Sequence, residues 1–147
     1  MDIFLEILIA YIFADFIGGV YHVLTDRGYN PVKSQVDEFQ LHHQNPGEME
    51  FSLIPALFGI PTMFIGFICF PAFFIALGLF GSLTQVTHYY AHRKEIPLII
   101  RVLQKCWIIM PVEHHNDHHS GNFDKNYCIL SGWNNWWFNW VIKKFVD

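Results

Sequence analysis

Apolar residues run from Ile3 to Leu24, interrupted only by Glu6 and Asp15 and a few small or weakly polar positions. The length fits one transmembrane helix of about 20 residues. It does not fit a cleaved leader, because no basic residue precedes it and two acids lie inside. A longer signal follows: Phe51 to Ala91 is 41 residues without one Asp, Glu, Lys or Arg. As a single helix rising about 1.5 Å per residue it would reach roughly 60 Å, twice the hydrocarbon thickness of a bilayer. It must therefore fold back, at Pro71 or at the glycines near Gly78 and Gly81. This predicts two further spans, 52–70 and 72–91. The apolar run Leu98 to Met110 carries Arg101 and Lys105 and is short, which predicts a helix lying in the membrane interface. Trp133 to Phe145 holds four tryptophans, then Lys143 and Lys144, and reads as a second interfacial anchor. The predicted fold is an all-α membrane protein: about three transmembrane helices plus interfacial helices in one domain, 1–147.

Composition supports that class. Hydrophobic residues make up 52% and charged residues 15%, where soluble domains carry about 25% charged. Aromatics at 18% suit a chain that meets lipid. A net charge of -4 leaves no basic footprint for nucleic acid. Cys69, Cys106 and Cys128 are odd in number and in no CxxC spacing, against both a disulfide scaffold and a thiolate zinc site. With three spans, all nine basic residues fall on one side, which the positive-inside rule makes cytosolic. The N-terminus is then outside and the C-terminus in the cytosol, in a bacterial inner membrane or the endoplasmic reticulum depending on source.

Nine histidines in so short a chain need a reason. They form four clusters: His22; His42 with His43; His88 with His92; and His114, His115, His118 and His119. The topology used only charge and hydropathy, yet it puts all four clusters at the cytosolic ends of the spans. His88 and His92 are four apart and share a helical face; His114 with His118, and His115 with His119, repeat the step. His22 and Asp26 do the same with a carboxylate, which makes Asp26 a candidate ligand or orienting base. Asp15 lies inside a span, so it is expected to face the protein interior, where it could orient a ligating imidazole. So many imidazoles exceed one ion's coordination and imply two. Missing thiolates disfavour iron–sulfur clusters and structural zinc, while imidazole suits iron, zinc and copper. An ion pair at the lip of apolar helices suits oxidation of a lipid chain that enters from the bilayer.

These residues carry a family likeness. The segments ADFIGGVYHVLTD, LHHQNP, LTQVTHYYAH and LQKCWIIMPVEHHNDHHSGNFDKNYCILSGWNN occur in that order. The chain resembles the lipid desaturase family that includes plasmanylethanolamine desaturase, the myxobacterial carotenogenesis regulator of the same activity, and plant fatty acid desaturase 4. The resemblance implies a membrane-embedded enzyme that holds two iron ions and consumes O2. It would draw electrons from an external donor such as cytochrome b5 or ferredoxin, and its substrate would be a phospholipid or fatty-acyl chain. It implies metal-site roles for His22, Asp26, His42, His43, His88, His92, His114, His115, His118 and His119. Trp107 and Phe123 stand where better-known members tend to carry further histidines. Vinyl-ether formation and acyl desaturation are both within the family's range.

Other readings are an acyl-lipid hydroxylase with the same metals, a non-enzymatic membrane metal-binding protein, and a haem protein with His22 and His92 as axial ligands. The haem reading leaves the double-histidine clusters unexplained. A transporter would place its ligands near the bilayer midplane, whereas these histidines gather at one lip.

Overall fold

A computed structural model describes residues 2–48, 59–66, 68, 71–120 and 123–145. Among these residues the regular structure is all helical. In chain order the helices are α1 (Ile3–Asp26), α2 (Lys33–Gln44), a short 3-10 turn (Pro46–Glu48), α3 (Gly59–Gly66), α4 (Pro71–Ala91), α5 (Leu98–Lys105), α6 (Val112–His119) and α7 (Asn135–Phe145). Asp2 caps α1 by accepting the Phe4 N–H at 2.9 Å. Gly28, at φ +76°, follows its last turn, where a residue without Cβ is under no strain.

α1 and α4 run side by side in the same direction. Tyr11 meets Phe80 (ring centroids 5.0 Å apart) near one end, and His22 meets His88 (5.8 Å) near the other. The C-terminal ends of both helices therefore come together, bringing their histidines with them. α3 packs on α4 through glycines: a Cβ on Gly59 or Gly78 would collide with the other's carbonyl oxygen. Such small residues let two backbones approach closely. The break at the start of α4 falls at Pro71, one of the expected places. Gly78 and Gly81 sit inside the helix instead.

One described helix, α1, is long and apolar enough to cross a membrane. Where the sequence predicts three spans, the described helices thus give one candidate. α4 has 21 residues, but its last turns carry buried Thr84, Gln85, Thr87 and His88, which lower its apolar character. Of the expected span 52–70 only α3 and Ile68 are described; the rest lies outside the described residues. The two expected interfacial segments are the short helices α5 and α7. α5 exposes Leu98, Ile99 and Val102. α7 exposes Trp136 and Trp140 while burying Phe138 and Ile142 against Val23, Tyr127 and Cys128. The extended segment through Cys128 crosses α1 so closely at Gly19 that any Cβ there would clash with the Cys128 sulfur.

Candidate metal centre

The four histidine clusters converge into two groups of metal-ligating atoms. Group one is His42, His88, His92, His115 and His119; group two is His22, Asp26, His43 and His118. Within each, one donor atom per residue lies within 4.8 Å of every other. Helical geometry explains the sorting. His88 and His92, four apart at the end of α4, share group one, as do His115 and His119 on α6. His22 and Asp26, four apart at the end of α1, share group two. His42 and His43 are adjacent on α2, so their side chains diverge by about 100°, and each enters a different group.

The Nε2 atoms point inward. In group one, His88 and His42 are 3.1 Å apart at Nε2, His115 and His92 2.8 Å, and His119 and His115 3.1 Å. In group two, His118 and His43 approach to 3.3 Å. Two nitrogens bound at about 2.1 Å to one ion, at right angles, stand about 3.0 Å apart. The spacings therefore fit imidazoles around an ion. Burial pushes His42, His92 and His119 down to about 3 and His118 down to about 4, so they are neutral at pH 7, the form that binds metal.

Two hydrogen bonds fix the tautomers. His22 Nδ1 lies 3.1 Å from the Tyr127 carbonyl, and His118 Nδ1 lies 2.6 Å from the Lys125 carbonyl. A carbonyl only accepts, so both Nδ1 atoms carry hydrogen and both Nε2 lone pairs face group two. Asp26 reaches the Nε2 atoms of His22 and His43 at 3.5 Å and of His118 at 3.6 Å. Neither Asp26 oxygen nor His22 Nε2 has a hydrogen-bond partner, although all three are buried. A buried carboxylate without a donor is costly, and a cation among these ligands removes that cost.

His114 joins neither group. Its Nε2 faces the Asn135 side-chain amide at 3.0 Å, and its ring packs on Trp107. The four-residue step to His118 suggested a shared role, but here it does not bring the two rings to one centre. His22 and His92 fall in different groups, so they do not form an axial pair.

Asp15 corrects another expectation: its partners are loop amides, with no imidazole among them. Asp15 Oδ1 accepts the backbone N–H of Leu130, Ser131 and Gly132 at 2.8–3.2 Å. Oδ2 accepts from the backbone and side chain of Asn134. The Asn135 amide brackets Cys128, accepting from its N–H and donating to its carbonyl. Asn139 accepts the Asn126 N–H at 2.8 Å. These side chains fix the segment 125–134, whose carbonyls orient His22 and His118. Asn126, Asn134, Asn135 and Asn139 went unread in the sequence because they follow no periodicity. The single hint was the acid inside a span, which needed partners.

Two cavities border group two. One of about 340 Å³ lies between α1, α3 and α4, is mostly apolar, and reaches His22, Tyr21 and Phe39. The other, of about 600 Å³, is bordered by Asp26, His43, Phe123 and Tyr127. Phe123 stacks flat on His43, with centroids 4.4 Å apart and planes 8° apart.

Two sets of imidazoles at the shared ends of apolar helices define a helical protein whose histidines could hold metal beside a mostly apolar cavity. The lipid desaturase domain family matches residues 11–143, and the chain belongs to that family. It is 32% identical to fatty acid desaturase 4, chloroplastic, of Arabidopsis thaliana, over 85% of this chain and 44% of the relative. It is 28% identical to plasmanylethanolamine desaturase of Myxococcus xanthus, over 88% of this chain and 53% of the relative. A protein of Acanthamoeba polyphaga mimivirus, named probable fatty acid desaturase, is 29% identical over all of this chain and 84% of its own length. The chain thus spans about half of the plant and bacterial relatives and most of the viral one. No solved structure matches it.

Proposed function

We propose that the chain is a membrane-bound lipid desaturase holding two iron ions, one in each histidine group. It would introduce a double bond into an alkyl or acyl chain of a phospholipid, in the manner of plasmanylethanolamine desaturase. Bound iron would supply the means of using O2 to oxidise an unactivated carbon chain, with electrons from an external carrier such as cytochrome b5 or a ferredoxin. The observation that carries this reading is the buried Asp26 carboxylate without a hydrogen-bond partner, set among three imidazoles, of which His22 reaches the apolar cavity.

The residues divide the work. His42, His88, His92, His115 and His119 would hold one ion; His22, Asp26, His43 and His118 the other. Ile17, Leu77 and Ile129 on the cavity wall exclude water from the lipid tail. Gly81, where a Cβ would meet nothing within 4 Å, leaves the width it needs. Tyr21 and Phe39 close the cavity's end beside His22, so the tail is positioned before it reacts. Holding one carbon pair against the centre is a proximity effect, and it selects where the bond forms. The Tyr127 and Lys125 carbonyls hold the His22 and His118 rings in register throughout.

The parallel course of α1 and α4 agrees with two spans running outward to inward, joined through a third that returns between them. We place the histidine end in the cytosol. A reporter at Asp147 active only in the cytosol is the expected result, and one active only outside would overturn this orientation. The test of function is lipidomics of a host with and without the gene. Acid-labile vinyl ethers, or acyl chains lighter by two hydrogens, are the expected products. An added oxygen instead would make the chain a hydroxylase, and an unchanged lipid profile in an iron-loaded, electron-supplied host would overturn the assignment.

A further inference from the structure

We propose that Gln85 sets where along its length the lipid chain is oxidised, its side-chain amide donating a hydrogen bond to the oxygen that joins the chain to glycerol. The inference rests on the lipid desaturase reading and adds a specificity-determining residue to it. Gln85 stands on α4 one turn before His88 and borders the apolar cavity of about 340 Å³. It is 7% exposed, and among the described residues no hydrogen bond holds its side-chain amide. A buried amide without a partner is costly, and folded proteins seldom keep one without a reason. Two other polar groups on the same wall are already engaged. The Tyr21 hydroxyl donates to the Gln35 side chain at 3.0 Å, and the Thr84 hydroxyl donates to the Phe80 carbonyl at 3.2 Å. Gln85 is thus a donor left open inside a mostly apolar cavity.

The cavity has a direction. Tyr21, His22, Thr84 and Gln85 border it toward the histidine ends of α1 and α4, while Ala14 and Leu77 border it farther back on the same two helices. Eight residues separate Ala14 from His22 and Leu77 from Gln85, about 12 Å along each axis. A chain with one polar end lies along such a wall in one sense, with its oxygen at Gln85 and its hydrocarbon toward Ala14 and Leu77. Reversed, it would bury the oxygen against apolar side chains and leave the amide unmatched. An amide N–H needs an acceptor, and an ether oxygen or an ester carbonyl both provide one. His22 of group two borders the same end of the cavity as Gln85. The carbons brought to the centre are therefore counted from the held oxygen, and proximity turns that count into the position of the double bond.

The test uses the iron-loaded, full-length chain in detergent. It is exchanged against equal amounts of three glycerophosphoethanolamine lipids that differ only where one chain meets glycerol: an ether oxygen, an ester, or a methylene in place of the oxygen. Retained lipid is counted by native mass spectrometry. The wild type is expected to favour the oxygen-bearing lipids over the methylene analogue about 10-fold, the scale of a buried hydrogen bond made against one left unmade. Whichever of ether and ester is retained more identifies the oxygen that Gln85 holds. Gln85→Met keeps the length and unbranched shape of the side chain and removes the donor, so the preference should fall to about twofold or less. Gln85→Leu, also a good helix former, repeats the test with a different shape. Both variants should keep the iron content of the wild type, because Gln85 belongs to neither histidine group. Where turnover is seen, the wild type should place the bond at one carbon pair and Gln85→Met should spread it over neighbouring pairs. No oxygen preference in the wild type, an unchanged preference in both variants, or loss of iron from both overturns the proposal. Desaturation by the wild type with an unchanged preference in the variants sinks the role of Gln85 alone. A preference that the variants lose, in a protein that never desaturates, supports the contact with Gln85 and counts against the desaturase reading.

Discussion

Group one and group two share ligands from α2 and α6, but α4 completes the first and α1 the second, and the two differ in donors and surroundings. Group one is five imidazoles with no charged ligand, and its half-buried members are His92 and His119. Group two has three imidazoles and the Asp26 carboxylate, and it sits between an apolar and a polar cavity. Neutral ligands leave an ion's whole charge in place. A carboxylate offsets part of it and stabilises the more highly charged form. The anionic donor thus stands in the group that faces both cavities, and in the proposed desaturase group two would stand next to the lipid, with group one behind it.

Removing one imidazole from each group is the strongest test of that division. If the proposed two-iron centre is right, His118→Ala and His88→Ala should each lower iron from about two ions per chain to about one, with turnover down roughly 100-fold, the upper end of the scale for lost metal-site partners. Elemental analysis of protein that still inserts in the membrane checks it. If either variant loses both ions, the groups form one cooperative cluster and the distinction between them fails. Full iron and full turnover in both would remove these residues from the centre. Zinc in overexpressed protein would count little against iron, since zinc binds the same ligands more strongly than ferrous iron does.

Asp26 is the chemical difference between the groups, so Asp26→Asn sharpens the comparison next. The change keeps the size and removes the charge. It should lower activity or group-two metal affinity at least 10-fold, the usual scale for such partners, and leave the group-one ion in place. Asp37→Asn, exposed on α2, is the control and should change neither. Equal, near-wild-type turnover in the two variants would reduce Asp26 to a spectator.

The sequence carried the site's composition further than its partition. Spacing of four announced the pairs His22 with Asp26, His88 with His92 and His115 with His119, because one turn of helix puts those positions on one face. It also paired His114 with His118, and there it misled: spacing gives the shared face but not which rotamer the surrounding loop allows. Asn135 takes the His114 ring instead. The division of His42 from His43 needed the docking of α2, which no local pattern encodes. The segment 125–134 has no period to read, so its role as the template for His22 and His118 became visible only with the asparagines in place. The three-span reading rested on hydropathy. The polar residues that α4 turns inward to the centre are what blur that signal.

Asp15 tests whether that template serves group two in particular. Asp15→Asn replaces a charged acceptor of four backbone amides with a neutral one. Hydrogen bonds to charged groups contribute about 1.5–3 kcal/mol. A loss of about 2 kcal/mol should lower the thermal midpoint by roughly 5–10 °C. With the carbonyls of residues 125 and 127 less firmly held, group-two affinity should fall about fivefold, below the scale for direct partners. Group one has no ring hydrogen-bonded to this segment among the described residues and should be unmoved. An equal loss from both groups would show that Asp15 supports the fold generally.

The smallest effect, and the finest probe of the comparison, belongs to Phe123. Its backbone has φ +55°, a left-handed conformation that bulky residues rarely adopt, and its ring lies flat on His43. Such strain persists where surrounding contacts hold it, and stacking on His43 supplies one. The left-handed conformation costs a non-glycine residue about 1 kcal/mol, and an aromatic pair returns about 0.5–1.5 kcal/mol. Phe123→Gly removes both, so the thermal midpoint should stay within about 3 °C of wild type. His43, no longer pinned on that face, should hold the group-two ion about threefold less tightly, the loss of roughly 0.6 kcal/mol of orientation expected from half such a pair. Competition with a chelator, followed ion by ion, reads this directly. A weaker group two at unchanged stability means the ring orients His43. A midpoint lowered well beyond 3 °C with metal affinity intact would mean that Phe123 is packing for the loop and has no part in separating the two groups.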